Sequence, residues 1–209
     1  MRNLRFFLSL PAIAGLALAL TTPATADLVI FDTSPVNNQA NLTAAAGQTF
    51  TTPDAATLGA NVYLKSIEQF GPTASAGENM TYGMQLWTNN AAPETWAPDT
   101  LLATTGVQTI LENESFVFDF TPFSVLLNPN TVYAIRFVDE NGDAIGVRIG
   151  LQGGNNGLGA ANGSLFSAGT TPFSNGFDSA MIITTAIPEP TSLAVLGVVS
   201  LLTLSRRRR

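Results

Sequence analysis

Strict alternation over short runs constrains this chain more than any other feature. In "SFVFDF" (115–120), Phe116, Phe118 and Phe120 fall on one face of an extended segment, with Val117 and Asp119 on the other. Three phenyl rings on one face demand burial, so the segment belongs to a sheet packed against a second layer. "TVYAIRFV" repeats the rule with Tyr133, Ile135 and Phe137, and "AIGVRIGL" with Ile145, Val147, Ile149 and Leu151. Clusters of Gly, Pro, Asn and Thr separate such runs, as turns separate strands. The pattern predicts an all-β antiparallel sandwich with strands at 28–31, 48–52, 62–70, 80–87, 101–104, 108–111, 115–120, 124–127, 131–138, 144–151 and 179–186. Between the two ends of the chain no window carries the 3.6-residue period of an amphipathic helix.

The Asn141-Gly142 pair in "DENGD" signals a hairpin between the strands at 131–138 and 144–151. Keeping both apolar faces on one side selects an odd-numbered loop, which pairs Phe137 with Val147 and Ile135 with Ile149. Arg136 then stands opposite Arg148. The same segment could offer oxygens to calcium, but it departs from the EF-hand pattern and reads first as a plain hairpin turn. Its glycine is fourth from Asp139, where an EF-hand needs it sixth, and the twelfth position is Gly150 instead of glutamate.

The two ends differ from what lies between them. Residues 1–26 read as a secretory signal: Arg2 and Arg5, an apolar run at 6–20, and the small-residue cleavage site Ala24-Thr25-Ala26, which starts the mature chain at Asp27. Residues 187–209 read as an anchor: Pro188-Glu189-Pro190, an apolar run at 193–204 that counted from Ile187 reaches about 18 residues, marginally enough to span a bilayer, then Arg206, Arg207, Arg208 and Arg209. The positive-inside bias keeps those arginines cytoplasmic, so the body, 27–186, faces outward. All fifteen carboxylates lie between Asp27 and Pro190, against Lys65, Arg136 and Arg148 alone, a net charge of −12 that disfavours nucleic acid and anionic lipid as partners.

The chain has neither cysteine nor histidine. Ser-His-Asp and Cys-His catalysis are therefore excluded, as are thiolate and imidazole metal sites. Carboxylate chemistry, oxygen-ligated metals and binding surfaces remain. No motif singles out a catalytic carboxylate pair, so no catalytic residue, metal ligand or cofactor is assigned. Trp96, in the proline-bounded "APETWAPDT", and Trp87, opposite the Tyr82, Met84 and Leu86 face, are candidates for stacking on a sugar. The reading placed ahead of this is that both cap the ends of the sandwich core. Arg136 and Arg148 as a pair could grip a carboxylate or sulfate, or each could be neutralised by an acid such as Asp119. The Gly/Asn/Ser-rich segment 153–175 reads as a long mobile loop that lacks the lysine of a phosphate-binding loop.

The tail resembles the PEP-CTERM sorting signal of Gram-negative bacteria on the Pro-Glu-Pro, the apolar run and the terminal arginines, with Ile187 where valine is usual. That resemblance implies transient residence in the inner membrane, recognition by an exosortase, cleavage near the motif, and delivery to the cell surface or the exopolysaccharide matrix. Between about residues 48 and 151, "GQTFTTP", "LKSIEQF", "YGMQLWTNN" and "FTPFSVLLNPNTVYAIRF" resemble the choice-of-anchor β-sandwich domains, nearest to type R. This implies a jelly-roll-like fold without established catalysis. The expectation is an exported, non-enzymatic surface or matrix protein associated with exopolysaccharide. A surface carbohydrate-binding module is the alternative, and a polysaccharide-acting enzyme ranks behind both.

Overall fold

The structure, a computed structural model, describes residues 25–34, 36, 38–42, 45–59, 62–72, 80–153, 163–167, 171–172 and 177–188. The alternating runs form strands, and every pairing among the described residues is antiparallel. In chain order these are β1 (Thr25–Asp32), β2 (Asn38–Asn41), β3 (Gly47–Thr51), β4 (Val62–Phe70), β5 (Met80–Asn89), β6 (Pro98–Thr104), β7 (Gln108–Ile110) and β8 (Ser115–Asp119). There follow β9 (Leu126–Leu127), β10 (Val132–Val138), β11 (Arg148–Gly153), β12 (Leu165–Ser167), β13 (Thr171–Pro172), β14 (Phe177–Ser179) and β15 (Met181–Pro188).

A five-stranded sheet runs β1-β15-β4-β8, with β9 on β4; a seven-stranded sheet runs β13-β12-β3-β10-β5-β6, with β7 on β5; a three-stranded sheet runs β14-β11-β2. Aromatic contacts join the two large sheets face to face. Tyr82 of β5 stacks on Phe118 of β8 at 5.9 Å, and Phe31 of β1 meets Phe50 of β3 edge-on at 6.2 Å. The inward residues of the alternating runs fill the space between, with Tyr82, Met84, Leu86, Phe118, Phe120, Tyr133, Ile135 and Phe137 all buried. Burial of this kind, about 1.5–3 kcal/mol for each large side chain, is the driving force for the sandwich.

The expected hairpin is cut short. Only Val138 bridges Ala144, around a turn in which Gly142 has φ 83° and the Asp139 carboxylate accepts from the amides of Asn141 and Asp143, each at 2.9 Å. The reason is occupancy. β10 is interior, with β3 on one side and β5 on the other, so its ladder positions are filled. The carbonyls of Ile145 and Val147 instead accept from Ala46 and Leu42, and the chain crosses into the three-stranded sheet as β11. Phe137 faces Met84 and Ile135 faces Leu86 and Gln48, so the predicted register is overturned.

Other expectations shift in detail. The strand predicted at 179–186 divides at the buried Ala180, where the chain passes from β14 in the three-stranded sheet to β15 in the five-stranded one. Part of the predicted mobile loop 153–175 is ladder: Leu165 and Phe166 of β12 pair with Gln48 and Gly47 and are buried. One helical turn, α1 (Ala55–Leu58), is present, capped by the Asp54 carboxylate on the Thr57 amide and too short to leave a period in the sequence. No helix among the described residues is long and apolar enough to cross a membrane. The predicted anchor run 193–204 lies outside them.

Candidate functional site

On the outer face of the seven-stranded sheet, directly paired residues share a side, so the register builds a row across four strands: Phe166, Gly47, Arg136, Gln85. Gly47 leaves a gap in that row. A β-carbon there would lie 2.3 and 2.8 Å from the ring of Trp96 and 2.4 Å from the Ile135 carbonyl, so the indole occupies the space that any side chain would need. Trp96 is only 7% exposed and packs against Phe166, ring centroids 5.3 Å apart, over the fully buried Ala134. The outer face thus carries a small core of its own, and β10 is buried on both faces.

Trp96 arrives from the β5–β6 connection, and Asn89 shapes that connection. Its amide donates to the carbonyls of Ala91 and Thr95 at 3.1 and 3.0 Å, and its side-chain oxygen accepts from the Ala97 amide at 2.8 Å. The Thr49 hydroxyl of β3 donates to the Pro93 carbonyl and fastens the loop to the sheet.

Arg136 lies between the two tryptophans. Its guanidinium carbon is 5.1 Å from the centroid of the part-buried Trp87 ring and 6.0 Å from that of Trp96. Such contacts contribute about 0.5–2 kcal/mol, more as water is excluded. The Trp87 indole N–H donates to Gln85 Oε1 at 3.1 Å, while Gln85 Nε2 donates to the Gly142 carbonyl at 3.3 Å, so the ring is held by its own strand and by the turn beyond β10. The Arg136 side chain has no hydrogen bond or ion pair among the described residues, and its Nε is buried without a partner. Burial lowers its pKa from the ordinary arginine value, because desolvation disfavours the cation.

Of the four predicted contact residues, the structure therefore brings Trp87, Trp96 and Arg136 together and leaves Arg148 out. Arg148 stands on β11 opposite Asn41, so the predicted two-arginine grip is overturned by the strand order. Asp119 does not neutralise Arg136 either. It lies on β8 in the other large sheet, and its carboxyl is held below the ordinary range by the Thr121 hydroxyl at 2.7 Å, then by the Thr121 amide at 2.9 Å. Neither tryptophan caps the sandwich core; both lie on the outside of the sheet. Gly47, Gln85, Asn89 and Phe166 were missed in the sequence. An isolated glycine opening a strand was the one available signal, and glycine inside strands marks close approach.

Pro188 is the last residue of β15, and Ala26 lies in β1 opposite Ile187. Ala24, Glu189, Pro190, Arg206, Arg207, Arg208 and Arg209 lie outside the described residues. A separate cavity of about 340 Å³ opens beside β8, lined by Thr105, Gln108, Phe116, Phe118 and Phe123, with Asp119 as its carboxylate. Comparison of the chain with protein-family models, characterised proteins and solved structures gives no match.

Proposed function

We propose that the chain is an exported, non-enzymatic surface or extracellular-matrix protein, associated with exopolysaccharide, whose C-terminal tail is recognised in the inner membrane and removed by an exosortase. The observation that carries this reading is the pairing of the two ends of the body. Thr25 pairs with Pro188, Ala26 with Ile187 and Asp27 with Ala186. The sheet thus opens at the small-residue cleavage site and closes inside the Pro-Glu-Pro motif. Both apolar ends of the sequence are joined covalently to one end of one strand pair, so a single membrane surface can receive both. A cut at Asp27 on one side and beyond Pro188 on the other leaves nearly the whole ladder in place. With this reading goes a jelly-roll-like sandwich flanked by a signal helix and a C-terminal transmembrane helix.

Mass spectrometry of the protein from culture medium and from cell envelope tests it. The surface form is expected to begin at Asp27, to end near Pro188–Pro190 and to lack the terminal arginines. Replacing Pro188, Glu189 and Pro190 with alanine is expected to abolish the trimming. A surface form that retains Arg209 would overturn the proposal.

The Trp87–Arg136–Trp96 cluster favours a second reading for the same exported body, that of a carbohydrate-binding module. A part-buried Trp87 ring and a cation on one outer face, backed by the buried Trp96, suit a polar ring-shaped ligand better than an apolar partner.

A further inference from the structure

Packing alone does not account for an arginine between Trp87 and Trp96. A methionine or leucine would fill the same space without a buried donor, and an unsatisfied buried N–H costs about 1–3 kcal/mol. Arg136 is partly buried, its Nε is buried without a partner, and its terminal nitrogens make no hydrogen bond among the described residues. Fifteen carboxylates occupy the chain, yet among the described residues none pairs with Arg136, while Lys65 pairs with Asp27. The acid nearest in sequence, Asp139, is committed to the amides of its own turn. Among the described residues Arg136 is therefore a planar cation without a charge partner, in a strongly acidic body.

The surroundings hold that cation in place in advance. Trp87 is tied to Gln85, Gln85 to the Gly142 carbonyl, and Trp96 is wedged over Gly47. A ligand would find the fork already oriented, with little rotamer freedom left to lose. One cation balances one negative charge, and the charge of the body penalises a dianion more than a monoanion. A guanidinium edge matches a carboxylate through two parallel N–H···O bonds, and the part-buried Trp87 ring beside it offers an apolar face to C–H groups.

We infer that Arg136, flanked by Trp87 and Trp96, is a binding site for the carboxylate of a uronic-acid sugar, with the sugar ring against Trp87. The inference rests on the carbohydrate-binding reading above and gives it a ligand class. The chain has two tryptophans, and both are in this cluster, so intrinsic tryptophan fluorescence reports the site and nothing else.

The purified full chain in uncharged detergent is titrated with an oligouronide, the neutral oligosaccharide of equal length, a sulfated neutral oligosaccharide and acetate. A saturable change in emission is expected with the oligouronide, absent with the neutral oligosaccharide and much weaker with acetate. Arg136→Gln is expected to weaken oligouronide binding by about tenfold or more, the loss of one charge-assisted contact. Arg136→Lys keeps the charge but not the fork, so it is expected to fall between. Circular dichroism confirms that each variant is folded, and Arg136→Lys provides the reading if Arg136→Gln is not. No emission change with oligouronide, or unchanged binding in a folded Arg136 variant, would overturn the site. Equal binding of acetate would overturn the sugar, and tighter binding of the sulfated oligosaccharide would overturn the carboxylate. None of these titrations depends on tail trimming, so the site and the sorting proposal fail separately.

Discussion

Two core tyrosines with the same ring burial differ in one atom's surroundings. Tyr133, 1% exposed, places its hydroxyl on the Asn128 amide at 2.9 Å and so closes the turn in which Asn130 has φ 48°. This is the physical content of the "NPNTVY" element. Tyr82 is fully buried between Phe118 and Phe137, and its hydroxyl has no partner. Removing each hydroxyl should therefore act in opposite directions. Tyr133→Phe strands a backbone donor and is expected to cost about 1–2 kcal/mol, whereas Tyr82→Phe relieves an unpaired polar group and is expected to be neutral or stabilising by about 1 kcal/mol. Urea melts of the two variants decide it. The sign with pH follows from the same burial. Desolvation raises the Tyr82 pKa well above 10.0, so the folded state keeps a proton that the unfolded chain loses near pH 10. The stability linked to Tyr82 is fully present below that pH and declines as pH rises above it. Tyr82→Phe should flatten the alkaline decline, and equal alkaline slopes in wild type and variant would contradict this account.

At the level of elements, the outer row of the seven-stranded sheet depends on a missing side chain. Gly47→Ala would set a methyl group inside the Trp96 ring and against the Ile135 carbonyl, neither of which is the free end of a flexible chain. Overpacking of this kind typically costs about 1–3 kcal/mol. Thermal unfolding is expected to shift down accordingly, and tryptophan emission to move to longer wavelength as Trp96 leaves its cover. An unshifted spectrum would mean that Trp96 does not need the gap. The same row explains what the sequence could reveal. Period-two runs such as "SFVFDF" expose the inner face, because burial of one face leaves its mark within a single strand. The small outer core left no such mark. It is assembled from Gly47, Trp96, Ala134 and Phe166 on separate segments, and only strand order makes them neighbours. The hairpin failed for a related reason. Asn141-Gly142 encodes a turn, and the turn is there, but whether β10 accepts β11 depends on β3 and β5, which are distant in sequence. Trp87 and Arg136 were legible as unusual residues, but their contact was not.

For the whole molecule, the decisive strand is the last one. β15 lies between β1 and β4, so it is interior to its sheet although it ends the body, and it buries Met181, Ile183 and Thr185. The two apolar side chains alone contribute about 3–6 kcal/mol, a large share of the 5–15 kcal/mol typical of a domain, before the ladders on both sides are counted. A chain ending at Pro188 should therefore keep its fold, and one ending at Ala180 should not. Trypsin offers a direct test, because the cations of the body are so few. Lys65, Arg136 and Arg148 all lie within strands, on β4, β10 and β11, while the remaining arginines lie in the first five and last four residues of the sequence. Cleavage at a strand residue requires the ladder to open, so the folded protein is expected to lose only its ends and to leave one resistant fragment spanning β1 to β15. The chain ending at Pro188 should give that fragment too. The chain ending at Ala180 should be cut at all three positions under the same conditions. Resistance of the shorter chain would show that the sandwich closes without β15, and would remove the structural reason for reading the end of this strand as the limit of tail trimming.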